Sequence, residues 1–233
     1  MDVRTLPEAE RELYQRLRRK YSLYFARETV GRYSTRVLMP ADLEQLLGGR
    51  DPFSDVKSFP FWARLWESSI VLGTVLADLP VNPGTRLLEL GAGSGLSGLA
   101  AAQAGYDVVL SDYDEEILDF QRVSAAANGL KTVQSLRFDW LDPPALDRFA
   151  VIAGAEILFR QEFVEPLVLI CKNYLVPEGA VYLAHDVRRQ SLAPFLRAAS
   201  EHFDIGSRKM TLRRNGRDWD ILINRLRFKN SGK

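Results

Sequence analysis

The feature that most constrains this chain is a strand, a glycine-rich turn and a helix run together without spacing. Arg86-Leu87-Leu88-Glu89-Leu90 is a short, mostly apolar run, which fits a strand buried on both faces. Gly91-Ala92-Gly93-Ser94-Gly95 follows at once, and Ser94 to Ala104 is a helix of small residues. In an open α/β sheet the carboxyl end of such a strand opens onto the ligand crevice. Glycines there permit positive φ and let the backbone come close to a ligand.

Further alternation of strand and helix extends this unit into a sheet. Before it, Ser68 to Leu79 reads as a helix and Pro80 to Gly84 as a turn. After it, strands are expected at Asp107–Ser111, Thr132–Phe138, Phe149–Ala155 and Ala180–Ala184. Helices are expected at Asp114–Asn128, Glu162–Leu175 and Ser191–Phe203. Such an order implies a mainly parallel sheet with helices on both faces. Ile205–Leu212 and Trp219–Leu226 have only a turn between them, which predicts an antiparallel hairpin at the end of the sheet. The first 58 residues differ. Pro7 to Lys20 reads as a charged amphipathic helix and Pro40 to Leu47 as a short one stopped by Gly48-Gly49, with mixed sequence between and a loop over Asp51–Pro60. The expected division is therefore a helical extension over 1–58 and an α/β domain over 59–233.

Composition narrows the function classes. A formal net charge of +1 argues against a bulk polyanion binder. The charge is uneven, with 12 Lys/Arg against 4 Asp/Glu from Val187 onward, a pattern that most simply reads as a solvated basic face. The one cysteine, Cys171, sits in an apolar helical stretch and reads as a buried small hydrophobe. The first twenty residues carry no apolar signal segment, and no apolar run approaches the ~18 residues of a membrane span, so a cytoplasmic protein is expected. Neither H-E-x-x-H nor C-x-x-C spacing occurs, so no metal is expected.

The candidate site residues cluster at the expected strand ends. Glu89 lies two residues before Gly91; a carboxylate there would oppose a pyrophosphate but attract a ligand carrying an ammonium and a sulfonium. Gly93, Gly95 and Gly98 also satisfy the dinucleotide pattern G-x-G-x-x-G, but out of register, because the strand has ended at Leu90 and Gly98 falls inside the helix. That argues for S-adenosylmethionine (SAM) over NAD. Asp112, 21 residues after Gly91, stands where an acid can accept from ribose hydroxyls, or can cap the following helix; Tyr113 beside it joins the candidate set. At Asp139-Trp140 the acid suits an adenine amine and the indole a purine face, with a core tryptophan as the alternative. Phe59, Phe61, Trp62 and Trp66 form an aromatic cluster ahead of the first strand. Past Phe149–Ala155, Glu156 is placed to orient an amine and Phe159 to wall an acceptor; a helix-capping acid and a core aromatic are the alternatives. His185-Asp186 follows the next strand, but without a nucleophilic Ser or Cys motif it makes no triad.

Together these residues resemble the class I SAM-dependent methyltransferases, and more narrowly the protein-lysine methyltransferases that include the methyltransferase-like 21 proteins and the electron-transfer-flavoprotein β-subunit lysine methyltransferase. The resemblance runs from about Phe59 to Phe228. Its landmarks are Phe61 to Trp66, Glu89 to Leu96, Ser111-Asp112, Asp139-Trp140, Gly154 to Phe159 and Tyr182 to Ala184. It implies a Rossmann-like, doubly wound, seven-stranded α/β sheet with a reversed terminal hairpin. It also implies contact with SAM by Trp66, Gly91, Ala92, Gly93, Asp112, Trp140 and Ala155. Two positions depart from the family pattern: Glu156 replaces the usual Asp of Asp-x-x-Tyr/Phe, and Glu67 replaces the Pro usual after the first Trp.

The expected activity is SAM-dependent N-methylation of a protein lysine, yielding S-adenosyl-L-homocysteine, with Glu156 and Phe159 as the catalytic candidates. A small-molecule methyltransferase and a non-catalytic SAM- or nucleotide-binding protein are the alternatives. No membrane or nucleic-acid partner is expected, and a monomer is.

Overall fold

The computed structural model describes residues 2–47 and 60–229. The expected boundary at 58/59, Phe59, Gly48-Gly49 and most of the expected 51–60 loop lie outside the described residues. From the amino end come α1 (Glu8–Lys20), β1 (Leu23–Val30), β2 (Tyr33–Pro40) and α2 (Leu43–Leu47). Then follow α3 (Glu67–Asp78), β3 (Arg86–Glu89), α4 (Leu96–Ala104), β4 (Asp107–Asp112), α5 (Glu115–Ala127) and β5 (Gln134–Arg137). The chain continues with β6 (Phe149–Ala155), α6 (Val164–Tyr174), β7 (Leu175–Asp186), α7 (Leu192–Ala199), β8 (Phe203–Arg214) and β9 (Arg217–Phe228).

β3 to β9 form one seven-stranded sheet in the order β5-β4-β3-β6-β7-β9-β8. β3 to β7 are parallel, and β9 runs antiparallel to both β7 and β8. The winding starts at β3, goes outward to β5, then returns to β6 on the other side of β3. β3 and β6 are therefore neighbours at the topological switch point, the place where open α/β sheets bind ligands. β6 has the bounds its sequence predicts. β7 is longer, because it starts at Leu175 beside Phe149 rather than at Ala180. The expected helix over Ser191–Phe203 ends at Ala199, and Phe203 opens β8.

Both faces of the sheet are covered. One apolar cluster joins α3, α4 and the sheet, with Leu72, Leu76, Leu99 and Leu110 fully enclosed. The other joins α6 and α7 to the opposite face, with Phe149, Leu167, Phe195 and Phe203 inside it. Cys171 is buried there, and burial pushes its thiol up to about 12, so it stays protonated.

The amino-terminal extension is only partly helical. α1 stands where expected, α2 starts at Leu43 rather than at Pro40, and Leu23–Pro40 is a two-stranded antiparallel hairpin, which corrects the reading of a purely helical extension. Val30, Val37 and Met39 enter the α3–α4 cluster, while Leu38 joins Leu17, Phe120 and Val123 over α5. The hairpin thus has two apolar faces, and strict alternation is lost over Val37-Leu38-Met39. Its backbone is also paired to the domain: Leu38 N–H donates to Ser124 Oγ at 2.9 Å, Arg36 N–H to Asn128 Oδ1 at 2.9 Å and Gly31 N–H to Thr74 Oγ1 at 3.0 Å. No described helix is long and apolar enough to cross a membrane.

Candidate active site

The turn after β3 is shaped by backbone geometry. Gly91, Gly93 and Gly95 all have positive φ, at 54°, 53° and 77°. Gly91 is constrained twice over, since a Cβ there would also meet the Trp140 ring at 3.0 Å and Ile157 at 3.1 Å. Ala92 N–H donates to Ser111 O at 2.8 Å, tying the turn to β4. Gly98, the third glycine of the out-of-register pattern, lies inside α4 as expected. A Cβ on it would come within 2.4 Å of Leu110 and 2.5 Å of Glu89, so its function is close helix–strand packing.

Glu89 is placed differently from its expected role. It is buried, Ser97 Oγ donates to its Oε1, and Gly98 N–H donates to its Oε2 at 2.8 Å. The charge that sequence aimed at a ligand is committed to the first turn of α4, beneath the glycine turn. Burial pushes its carboxyl up to about 7, against the pull of these two hydrogen bonds.

Asp112 closes the turn from β4. Its Oδ2 accepts from Gly93 N–H at 2.8 Å and its Oδ1 from Tyr113 N–H at 2.8 Å. A carboxylate offers about four acceptor positions, so capacity remains for two hydroxyl donors. Burial raises its pKa to about 6, which leaves it ionised at neutral pH. The helix-cap role belongs instead to Asp114, which accepts from Glu116 N–H at 2.8 Å. Tyr113 is exposed, with the Arg137 guanidinium over its ring at 5.5 Å. Asp139 Oδ1 accepts from Leu141 N–H at 2.9 Å. Glycine turn, Asp112 and Asp139 thus stand at the carboxyl ends of three adjacent strands, forming a cradle with spare acceptors suited to a nucleoside.

Trp140 joins this cradle to the next feature. Its indole touches Gly91 and packs against Phe159 at 6.1 Å and, edge-on, Phe163 at 5.0 Å between ring centroids. Glu156 follows Ala155 at the end of β6 with φ 57°, a left-handed conformation rare for a residue with a side chain. Such strain is held by its surroundings. Glu156 N–H donates to Ala184 O at 2.9 Å, and its Oε1 accepts from Asp186 N–H at 2.7 Å. Arg189 donates to Oε2 through both Nε, at 3.0 Å, and Nη2. Phe159 is half exposed and lines an open groove of about 740 Å³ together with Glu156, Arg189, Trp66, Ser68 and Trp219.

Trp66 is in that groove, not against the glycine turn. Its Nε1 donates to Phe61 O at 2.9 Å, and the Arg64 guanidinium lies over its ring at 4.4 Å. Trp62 passes the turn with its backbone, its Cα and Cβ 3.5 Å from where a Gly93 Cβ would be, while its ring packs on Phe120 at 4.8 Å between centroids. His185 is buried and its Nε2 accepts from Leu158 N–H at 3.4 Å; burial drops its pKa to about 3, so it is neutral and serves the loop rather than a proton transfer.

Three contributors escaped sequence reasoning. Arg189 pairs with Glu156 across 33 residues, and no local pattern marks it. Gln121 donates to Gly93 O at 3.0 Å from inside α5, where it reads as one more polar helix residue; its Oε1 is buried without a partner. Trp219 lies near the start of β9 and reads as a strand residue until its neighbours are known. Among the described residues no group of three His, Cys, Asp or Glu side chains is arranged to hold a metal.

Comparison with known proteins gives this geometry its place. The fold is that of the class I SAM-dependent methyltransferases: a TehB-like SAM-dependent methyltransferase from Corynebacterium glutamicum superposes with a TM-score of 0.55 at 17% identity, over 68% of this chain and 88% of that one. Residues 61–202 match the model of the lysine methyltransferase family, and the chain belongs to that family. Relatives include EEF1A lysine methyltransferase 3 of Mus musculus, 27% identical over 61% of this chain and 64% of that protein. The histone-arginine methyltransferase METTL23 of Mus musculus is 35% identical over 45% of this chain and 44% of that protein. Both matches span less than two thirds of the relative's own length.

Proposed function

We propose that this protein transfers a methyl group from SAM to the ε-nitrogen of a lysine in a protein substrate. The observation that carries the proposal is Trp140, whose ring contacts both the glycine turn at β3 and Phe159 beyond β6. A donor seated on the turn and an acceptor entering beside Glu156 share that wall. SAM, when bound, supplies a methyl group already activated by its sulfonium, so the protein contributes position and electrostatics.

The residues present fit that cofactor. Asp112 has acceptor capacity for ribose hydroxyls, Asp139 for an adenine amine, and the Gly91–Gly93 backbone allows close approach; Tyr113, Trp140 and Ala155 border the same strand ends. On the acceptor side, a lysine with a solution pKa of ~10.4 must arrive without its proton. An isolated carboxylate would oppose that by stabilising the ammonium. Here Arg189 balances the charge of Glu156, which can then orient an acceptor N–H without holding the amine protonated. Phe159 and Trp140 give the same approach an apolar wall.

Arginine is the second acceptor to consider. The METTL23 relative is a histone-arginine methyltransferase, and Glu156 already receives a guanidinium, that of Arg189. One experiment separates the readings. Methyl-labelled SAM is incubated with the protein and a cell lysate, and labelled protein is hydrolysed to amino acids. Methyllysine is the expected species. Label confined to methylarginine replaces the lysine reading with the second one; label confined to small molecules removes both.

A further inference from the structure

The acceptor groove has a neighbour. A second cleft of about 780 Å³ lies between the β1–β2 hairpin and the turn joining β8 to β9. Arg64, Glu67 and Trp219 line both hollows, so the cleft continues the path that starts at Glu156. Its walls are braced from three directions. The Arg214 guanidinium pairs with Glu28 on β1, reaches Glu67 on α3 at 3.7 Å and donates to Leu65 O at 3.5 Å. The cleft is therefore fixed before anything binds.

Its charge is unbalanced. Glu28 and Glu67 are both engaged by the Arg214 guanidinium, and Arg64 adds a second cation on Glu67 at 3.3 Å. Arg27 and Arg217 stand exposed on opposite walls, and among the described residues neither forms an ion pair. Four arginines thus face two carboxylates already in use. Opposite walls carrying unpaired arginines suit an extended segment with carboxylates on it, because guanidinium–carboxylate pairs are planar and often bidentate. A peptide rather than a phosphate backbone follows from the protein-lysine reading above, because the cleft continues the acceptor groove.

We infer that this cleft receives an acidic stretch of the protein substrate flanking the methylated lysine. The inference rests on the protein-lysine reading above and adds a substrate class to it. The amino-terminal hairpin then takes part in choosing the substrate.

The test uses fluorescent twelve-residue peptides with a central lysine. Asp and Glu occupy one flank, the other flank, or neither, Ser and Gly replacing them. Binding to the protein saturated with S-adenosylhomocysteine is read by polarisation, with an RNA oligonucleotide of similar length as competitor. A peptide acidic on one flank should bind about tenfold more tightly than the neutral one, and the preference should weaken with salt. The double charge reversal Arg27→Glu with Arg217→Glu should remove it. The double variant Arg27→Ala with Arg217→Ala, checked by thermal melting, should reduce it without disturbing the fold.

Equal binding of all peptides, or a preference unchanged in both double variants, overturns the inference. Displacement by the oligonucleotide at lower concentration than by the acidic peptide overturns it in favour of a nucleic acid. The two levels of the proposal fail separately. An arginine-dependent acidic preference with no methyllysine in labelled lysate removes the activity and leaves the cleft. Methyllysine without any flank preference removes the cleft and leaves the activity.

Discussion

The two ends of the crevice are built by different means. At β3 the site is backbone: three positive-φ glycines, amide hydrogen bonds into Asp112, and Glu89 bracing α4 from below. At β6 the site is made of side chains brought together from distant parts of the chain: Glu156 with Arg189, Phe159 with Trp140, Arg64 with Trp219. A backbone site is suited to a ligand that does not vary. A side-chain site can be rebuilt for a new acceptor without touching the donor end.

The sharpest way to break this comparison is Glu156→Ala. Turnover into protein should fall about 100-fold, the scale of a misplaced acceptor, while SAM affinity changes less than about twofold. Glu156→Gln keeps an acceptor for Asp186 N–H and should fall between the two. Equal losses of affinity and turnover would merge the two ends into one unit. Gly91→Ala acts on the other end. Forcing a side chain into left-handed backbone costs about 1–2 kcal/mol, and the methyl presses on Trp140. Calorimetry should show SAM binding weakened about tenfold, and unchanged binding would contradict the tight turn.

The smallest effect concerns Glu89. Its folded pKa, about 7, lies above the ordinary 4.5, so the folded protein holds this proton more tightly than the unfolded chain. Its contribution to stability is full below about pH 4.5 and is lost as pH rises through about 7. Glu89→Gln does not titrate. The melting temperature of the unsubstituted protein minus that of Glu89→Gln should therefore shrink between pH 5 and pH 8, by about 2–4 °C for each kcal/mol of this contribution. A difference that stays constant or grows would reverse the assignment of burial as the dominant cause.

The same contrast explains what sequence made legible. Strand–turn–helix order, the terminal hairpin and the glycine turn are local patterns, and β3, β4 and β6 stand within a residue of their expected bounds. The β1–β2 hairpin was not legible, because the end of β2 is buried on both sides and Val37-Leu38-Met39 does not alternate. Glu156 was visible as a strand-end acid, but its partner Arg189 is fixed only by the fold that joins β6 to the end of β7. Trp66 and Trp62 read as one aromatic cluster; only three dimensions separate the groove-lining ring of Trp66 from the ring of Trp62, which packs on Phe120.

The acceptor groove and the arginine-lined cleft both presuppose a methyl-donor site at the glycine turn. Calorimetric titration of the intact protein with SAM, S-adenosylhomocysteine and NAD addresses that directly. The account predicts one site that takes SAM and S-adenosylhomocysteine and gives no heat with NAD. Saturable binding of NAD with none of SAM would contradict it.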